Sequence, residues 1–284
     1  MLKKLSAIIL TALLAASLTA CGTSAPASSS STASSDSTAI VTAAYTEGDL
    51  TQATDASGST DLTLSDGKTL TITAAGVYTV SGNAKNASVI VEAGKEDKVQ
   101  IILNGVNITN DSTPAVYVKS ADEVVVTTAA GTTNTLAVTG TFTDDGDTKT
   151  DAVIFAKDDL TLGGEGTLTL TSSKNGISGK DDVKVTGGTI TIDCAADAIE
   201  ANNDIEVSDG ALTIKSQKDG LHAENDKDNT QGSITIFTNR PWTRPDTPPK
   251  GKKPKTPGDV FEIDDYETPL GVEVIINHVG DCFD

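Results

Sequence analysis

The sequence repeats one short segment four times, as Gly166-Thr-Leu-Thr-Leu-Thr-Ser172, Gly188-Thr-Ile-Thr-Ile-Asp-Cys194, Gly210-Ala-Leu-Thr-Ile-Lys-Ser216 and Gly232-Ser-Ile-Thr-Ile-Phe-Thr238. The step between copies is 22 residues. In each copy an aliphatic residue alternates with a polar one, which is typical of a strand with one buried face. The repeat therefore predicts aliphatic columns, the first made of Leu168, Ile190, Leu212 and Ile234.

Two further strand-like segments accompany each copy. One contains Ile177, Ile199 or Leu221, and the other begins at Leu160, Val183 or Ile205. No apolar pattern is long enough for a helix, and like strands of successive units can pair only in parallel, about 4.8 Å apart. We therefore predict an all-β protein, a right-handed parallel β-helix, which is a solenoid of about 22 residues per coil. A leucine-rich repeat is disfavoured because its Leu/Asn signature is missing, and a propeller because its blades need about 40 residues.

The same strand pattern continues less regularly upstream, in residues 88–91, 99–108, 115–118 and 123–127. Val, Ile and Leu dominate these runs, and turns containing Gly or Asn separate them. We expect one β domain over residues 60–236.

The N-terminus has the features of a secretory signal peptide. A basic start precedes an apolar run from Leu5 to Leu18, which is short for a membrane-spanning helix. The motif Leu18-Thr-Ala-Cys21 resembles a lipobox, which implies a signal peptide of residues 1–21, a lipid on Cys21 and a lipid-anchored position on the extracellular face of the cell membrane. Residues 22–59 are rich in Ser, Thr and Ala and are expected to form a flexible tether. The alternative is an ordinary signal peptide in which this Cys occurs by chance.

The charge of the chain limits its partners. It carries 40 acidic and 21 basic residues, a formal net charge of −19. Because phosphate binding needs a basic surface, this composition excludes nucleic acid as a partner. Carboxylates that lack neighbouring cations instead favour a divalent metal ion.

Acidic residues recur at the turns between the predicted strands. Stacking of equivalent turns would bring carboxylates to about 5 Å, where they repel unless a cation lies between them. Calcium binds six to eight oxygen atoms, which Asp, Asn and turn carbonyls supply. The predicted calcium ligands are Asp151, Asp159, Asp181, Asp182, Asp197, Asn203, Asp204, Asp219 and Asp226. The alternative is that Asp and Asn only stabilise turns through bonds to their own backbone.

Several stretches resemble the carbohydrate-binding-domain lipoproteins of gut and cellulolytic clostridia. They are residues 98–109, residues 115–122 and the repeated Lys-Asp-Asp turns at Lys157 and Lys180. The resemblance covers residues 62–236. It implies a pectate-lyase-like fold, several bound calcium ions and binding of acidic plant polysaccharide such as polygalacturonate. The family continues through more repeats, whereas Pro254 stands where the next Gly is due, so the chain resembles a member truncated at its C-terminal end.

The sequence contains no arrangement that predicts an enzyme. β-Elimination of a uronate needs a base and a cation, but the arginines, Arg240 and Arg244, both lie outside the predicted domain. His222 is interpreted as a turn residue, and lysines beside Asp pairs, such as Lys157 and Lys180, are expected to balance local charge. We therefore expect a protein that binds acidic polysaccharide through calcium. The alternative is a structural protein or adhesin that calcium only stabilises, and a polysaccharide lyase is less favoured.

The C-terminal region is expected to form a Pro-rich linker, residues 237–258, and a short segment, residues 259–284, that caps the domain. A strand-like run at residues 271–279 is expected to cover the open strand edges at the end of the domain or to pair with another copy. A rearranged reading frame is another explanation, and the sequence leaves the oligomeric state open.

Deletion of residues 237–284 tests the cap. Uncovered strand edges pair with other chains, so the truncated protein is expected to aggregate under conditions in which the mature protein of residues 22–284 stays soluble. Size-exclusion chromatography of the two proteins measures the difference. A truncated protein that elutes as an unchanged soluble monomer would count against the cap.

Overall fold

The computed structural model describes residues 58–228 and 230–236, and the backbone of a strand at residues 273–278. All of the described residues belong to one compact unit. The predicted signal peptide, the predicted lipid attachment site Cys21, the predicted Pro-rich linker and most of the predicted tether lie outside the described residues.

The described residues form strands and turns, so the prediction of an all-β protein is confirmed. None of them forms a helix long and apolar enough to cross a membrane. The strands are β1 (Thr60–Thr63), β2 (Thr69–Ile72), β3 (Gly76–Lys85), β4 (Ser88–Glu92), β5 (Lys98–Asn110), β6 (Val116–Ser120), β7 (Glu123–Thr128), β8 (Thr133–Val138), β9 (Ala152–Ala156), β10 (Asp159–Gly164), β11 (Thr167–Ser172), β12 (Asn175–Gly179), β13 (Val183–Cys194), β14 (Ile199–Ala201), β15 (Ile205–Ser216), β16 (Leu221–Ala223), β17 (Ile234–Ile236) and β18 (Glu273–His278).

The predicted right-handed parallel β-helix of about 22 residues per coil is wrong. The strands do pair in parallel, but six of them close on themselves in the order β5, β7, β10, β13, β11, β8 and back to β5. This closed six-stranded parallel barrel is accompanied by a second parallel sheet in the order β16-β14-β12-β9-β6-β4-β2.

The closure arises because two strands are longer than the sequence pattern predicts. The first half of β5 pairs with β7 and its second half with β8, and β13 likewise pairs with both β10 and β11. Gly105 and Gly188 lie inside these strands with φ of 70° and 86°, values that a residue with a side chain rarely adopts. Each glycine therefore redirects the chain within a continuous strand, and at Gly188 the sequence pattern indicates a break between two strands.

The 22-residue step holds only in part of the domain. Leu168, Ile190 and Leu212 do stand side by side, in β11, β13 and β15. Ile234 leaves this column, because β17 pairs Ile234 with Ile205. The position beside Leu212 belongs to Val274 of β18, which pairs in parallel with β15.

Aliphatic side chains from both sheets form one main buried core. The second sheet also carries a small cluster of Tyr117, Ala152 and Phe155, packed against Ile90. Because alternate residues of a strand point to opposite faces, Tyr117 and Phe155 lie on the face of the second sheet opposite to Val116, Val118 and Ile154, which belong to the main core. This outer face carries the polar side chains described below.

Gly164 gives a test of the barrel. It ends β10 beside Thr128 with φ of 102°, and a Cβ there would lie 2.3 Å from the Thr128 backbone nitrogen. Gly164→Ala is expected to lower the free energy of unfolding by about 2–5 kcal/mol, because backbone strain and overpacking add. Gly146→Ala, at φ of 59° with open space around it, is the control and should cost only about 1–2 kcal/mol. Equal losses in denaturant titration would contradict the packing of β10 on β7.

Candidate functional site: Asp and Asn ladders and two clefts

The first ladder joins Asp159, Asp182 and Asp204 at the starts of the neighbouring strands β10, β13 and β15. The Asp182 backbone N–H donates to Asp159 Oδ1 at 3.4 Å, and the Asp204 N–H donates to Asp182 Oδ1 at 3.1 Å. Ser233 ends the ladder, since its N–H and hydroxyl donate to Asp204 Oδ1 at 2.8 and 2.9 Å. Each carboxylate thus holds the backbone of the next unit through one of its two oxygens.

The second ladder joins Asn175, Asp197 and Asp219 beside the strands of the second sheet. The Asp197 N–H donates to Asn175 Oδ1 at 3.0 Å, and the Asp219 N–H donates to Asp197 Oδ1 at 3.0 Å. Asp151 lies one unit earlier and is linked through its backbone carbonyl, which accepts the Asn175 N–H at 2.9 Å. The Oδ1 atom of Asp151 is buried and has no hydrogen-bond partner in the described part of the chain.

The third ladder consists of side chains alone. The Asn203 amide donates to Asp181 Oδ1, and the Asn225 amide donates to Asn203 Oδ1 at 2.6 Å. Asp226, predicted to continue an acidic column, is exposed and lies outside the three ladders. Its expected place beyond Asp204 is taken by Ser233.

Burial raises the pKa of three of these acids. Burial, reinforced by the charges of Asp181 and Asp182, raises the pKa of Asp159 to about 6. Burial also raises the pKa of Asp182. The pKa of Asp151 is raised by burial and then by the charge of Glu200. These carboxyl groups hold their protons more tightly than usual, as expected for buried acids with acidic neighbours.

The ladders fit calcium in donor chemistry. Within the described part of the chain, the Oδ2 atoms of Asp159, Asp182 and Asp204 make no hydrogen bond or ion pair, so each carboxylate retains one oxygen for a cation. In these same residues no three side chains of His, Cys, Asp or Glu converge closely enough to hold a metal. An ion bound at a ladder would therefore take its other ligands from backbone carbonyls and water, which calcium accepts.

A cleft of about 460 Å³ lies on the second sheet near the third ladder. His222 contacts two carboxylates there, with Nδ1 3.4 Å from Asp219 Oδ2 and Nε2 3.4 Å from Glu224 Oε2. The neighbouring Glu200 accepts hydrogen bonds from the Asn175 amide at 2.5 Å and from Lys180 Nζ at 3.4 Å. The cleft therefore combines amide, carboxylate and cationic groups.

A second cleft, of about 430 Å³, lies at the other end of the same face. Tyr117 and Ile90 give it an apolar floor, and the loop between β8 and β9 contributes Thr143 and Asp145 to its wall. Lys119 Nζ lies 2.9 Å from Asp145 Oδ2, and this contact lowers the pKa of Asp145 and raises that of Lys119.

The model of the carbohydrate-binding domain-containing protein family matches residues 66–239, more than half of the chain. The chain belongs to this family. A carbohydrate-binding domain-containing protein of Acetivibrio thermocellus is 40% identical over 119 residues, which are 41% of this chain and 42% of the relative. The chain thus matches well under half of that relative's length, while the resemblance read from the sequence is confirmed.

A solved structure of similar architecture comes from C. thermocellum. It is a polysaccharide lyase-like protein, solved as a gadolinium derivative, that shares 30% sequence identity and a TM-score of 0.59. The similarity covers 63% of this chain and 79% of that protein.

Several residues on the outer face of the second sheet were missed by the sequence analysis. Tyr117 and Phe155 are paired residues of neighbouring strands, and Lys119, Lys157 and Lys180 follow paired residues in the same way. The 22-residue period does not relate Tyr117 to Phe155, because the chain between β6 and β9 is longer than one repeat. The Lys-Asp-Asp turns were the available signal, but they were interpreted as local charge balance.

The raised pKa of Asp159 predicts a pH dependence of stability. Its folded-state pKa of about 6 lies above the usual 3.8, so this group favours the folded state below about pH 3.8 and loses that contribution as the pH rises through about 6. Asp159→Asn keeps the acceptor for the Asp182 N–H and removes the charge. In EDTA the variant is expected to melt about 2–4 °C higher than the wild type at pH 7.5, after allowance for screening by solvent, and close to it at pH 4.

The exposed Asp61 on β1 provides the matched control. Asp61→Asn removes the same charge outside the ladders and should leave the melting temperature unchanged at both pH values. If Asp159→Asn shifts melting equally at pH 4 and 7.5, the charge of Asp159 is not the cause.

Proposed function

We propose that this protein is a lipid-anchored surface protein that binds acidic polysaccharide, such as polygalacturonate, with calcium held at the Asp and Asn ladders. Carbohydrate binding follows from the family to which the chain belongs. The first ladder is the observation that supports calcium, because it places carboxylates in a row, each with one oxygen unused by the described residues.

Calcium explains how so acidic a protein tolerates an acidic ligand. The net charge of −19 repels a uronate chain. A divalent ion between the ladder and the ligand supplies positive charge and is coordinated by oxygen atoms of both.

The ladders contribute in two distinct ways. Oδ1 of Asp159, Asp182 and Asp204 accepts a backbone N–H and so fixes each carboxylate in place. The second oxygen is thereby oriented before any ligand arrives, which lowers the entropic cost of binding.

We propose binding without catalysis as the role of the protein. The related structure is called polysaccharide lyase-like, but a fold supports many functions and the site must decide. In the described residues, His222 already contacts Asp219 and Glu224, and no Arg faces the ladders. The proposed lipid on Cys21 would hold the domain at the extracellular face of the membrane, close to glycans outside the cell.

Calcium titration of the mature protein, residues 22–284, by calorimetry is the experiment that tests this function. Binding is expected to be accompanied by a rise in melting temperature, since calcium at 100 times its Kd stabilises by about 2.7 kcal/mol. Polygalacturonate is expected to bind in calcium and to bind far more weakly in EDTA. Asp159→Asn combined with Asp182→Asn should abolish the calcium-dependent part, whereas Asp61→Asn should retain it.

The outcomes separate the proposal from its alternatives. Calcium that raises the melting temperature without any glycan binding would support the structural role instead. If calcium neither binds nor raises the melting temperature, the Asp and Asn residues of the ladders only stabilise turns. Release of unsaturated sugar products, detected by their ultraviolet absorbance, would show a lyase.

A further inference from the structure

Three lysines form a row across the outer face of the second sheet. Lys119, Lys157 and Lys180 each follow one of three residues that pair across β6, β9 and β12. The backbone confirms this order, since the Lys157 N–H donates to the Val118 carbonyl at 3.0 Å and the Lys180 N–H to the Ala156 carbonyl at 2.8 Å. Their backbones are therefore about one strand spacing apart, about 4.8 Å.

Two buried aromatic rings lie beneath this lysine row. The Nζ atoms of Lys119 and Lys157 lie 5.2 and 5.9 Å from the centroid of the Tyr117 ring, and Lys180 Nζ lies 5.5 Å from that of Phe155. The rings themselves pack edge to face with centroids 5.5 Å apart. Contacts of this kind stabilise a cation over the ring face and hold the lysine side chains down on the sheet.

Carboxylates of the protein already occupy both ends of the lysine row. Lys119 contacts Asp145 at 2.9 Å and Glu92 at 3.2 Å, and Lys180 contacts Glu200 at 3.4 Å. Lys157, in the middle, forms no ion pair with any of the residues that the structure describes. Because the ammonium groups at both ends of the row already have carboxylate partners, an added anion is most favourable at Lys157 in the centre.

A second observation points to a ligand at the same place. Tyr117 is 4% exposed, and its hydroxyl makes no hydrogen bond of normal geometry within the described residues, although the Asp145 carboxylate lies nearby. A buried hydroxyl without a partner is costly. It lies in the cleft of about 430 Å³, whose wall adds the hydroxyl groups of Ser112, Thr143 and Thr150.

We propose that the lysine row and this cleft form a second, calcium-independent subsite for a uronic acid unit, with Lys157 binding the sugar carboxylate and Tyr117 hydrogen-bonding a ring hydroxyl. This subsite rests on the proposed function for its ligand class. It differs in chemistry from the ladders, because the protein itself supplies the positive charge.

The test uses the mature protein in EDTA and low salt, with oligogalacturonate as the probe. Lys157→Gln is expected to weaken binding about 10-fold, the size of a lost charge-assisted hydrogen bond, and Lys157→Arg to restore most of it. Added salt should weaken wild-type binding, and the neutral methyl ester of the same oligosaccharide should bind poorly. Lys85→Gln, which removes an equal charge from an exposed position on β3, is the matched control.

Tyr117→Phe adds a readout that a structural role would not produce. Removal of an unpartnered hydroxyl should leave the melting temperature unchanged or slightly higher, while oligogalacturonate binding in EDTA weakens several-fold. A variant that melts much lower would instead indicate that the hydroxyl supports the fold, against the proposal.

The results distinguish this subsite from the ladders. Loss of EDTA-resistant binding in Lys157→Gln, with calcium titration unchanged, supports the subsite. Binding seen only in calcium overturns the subsite and leaves the proposed function standing, whereas no binding in either buffer overturns both. Equal weakening by Lys157→Gln and Lys85→Gln, or equal binding of the methyl ester, also overturns it.

Discussion

Parallel pairing of each strand with its counterpart in the next unit is the interaction on which the rest of this structure depends. It aligns the aliphatic columns that fill the core, and it places equivalent turns beside one another. The same alignment brings Asp159, Asp182 and Asp204 into one row and Lys119, Lys157 and Lys180 into another. Both charged rows are consequences of backbone register, so any change in register would separate the members of both rows at once.

The local parts of the fold could be predicted from the sequence, and its closure could not. The alternation around Leu168, Ile190 and Leu212 predicted where the strands lie, which side chains face the core and which strands pair in parallel. These three properties all depend on side-chain periodicity. Closure of the barrel depends on the chain passing through Gly105 and Gly188 inside single strands. A glycine permits a turn, a bulge or a continuous bend alike, and periodicity does not distinguish among them.

The candidate site, like the fold, could be predicted from the sequence only in part. Asp197 and Asp219 obey the 22-residue step, and the structure does join them in one ladder. Asp226 obeys it too, but the chain beyond Asp204 returns at Ser233 after a longer loop. Tyr117 and Phe155 meet across strands whose connection includes the loop that carries Asp145, so their contact has no signature in sequence spacing.

The ladders have a consequence for how proteins of this kind change length. In the first ladder the Asp side chain of each unit accepts a hydrogen bond from the backbone N–H of the next unit. The backbone N–H of the same Asp donates to the Asp side chain of the preceding unit. A whole unit can therefore be duplicated or lost with every donor still matched, provided that a residue such as Ser233 ends the series. Loss of part of a unit would leave a donor or a carboxylate unmatched. Such a protein is constrained to vary in whole steps, and its number of ladder carboxylates and its number of strands would change together.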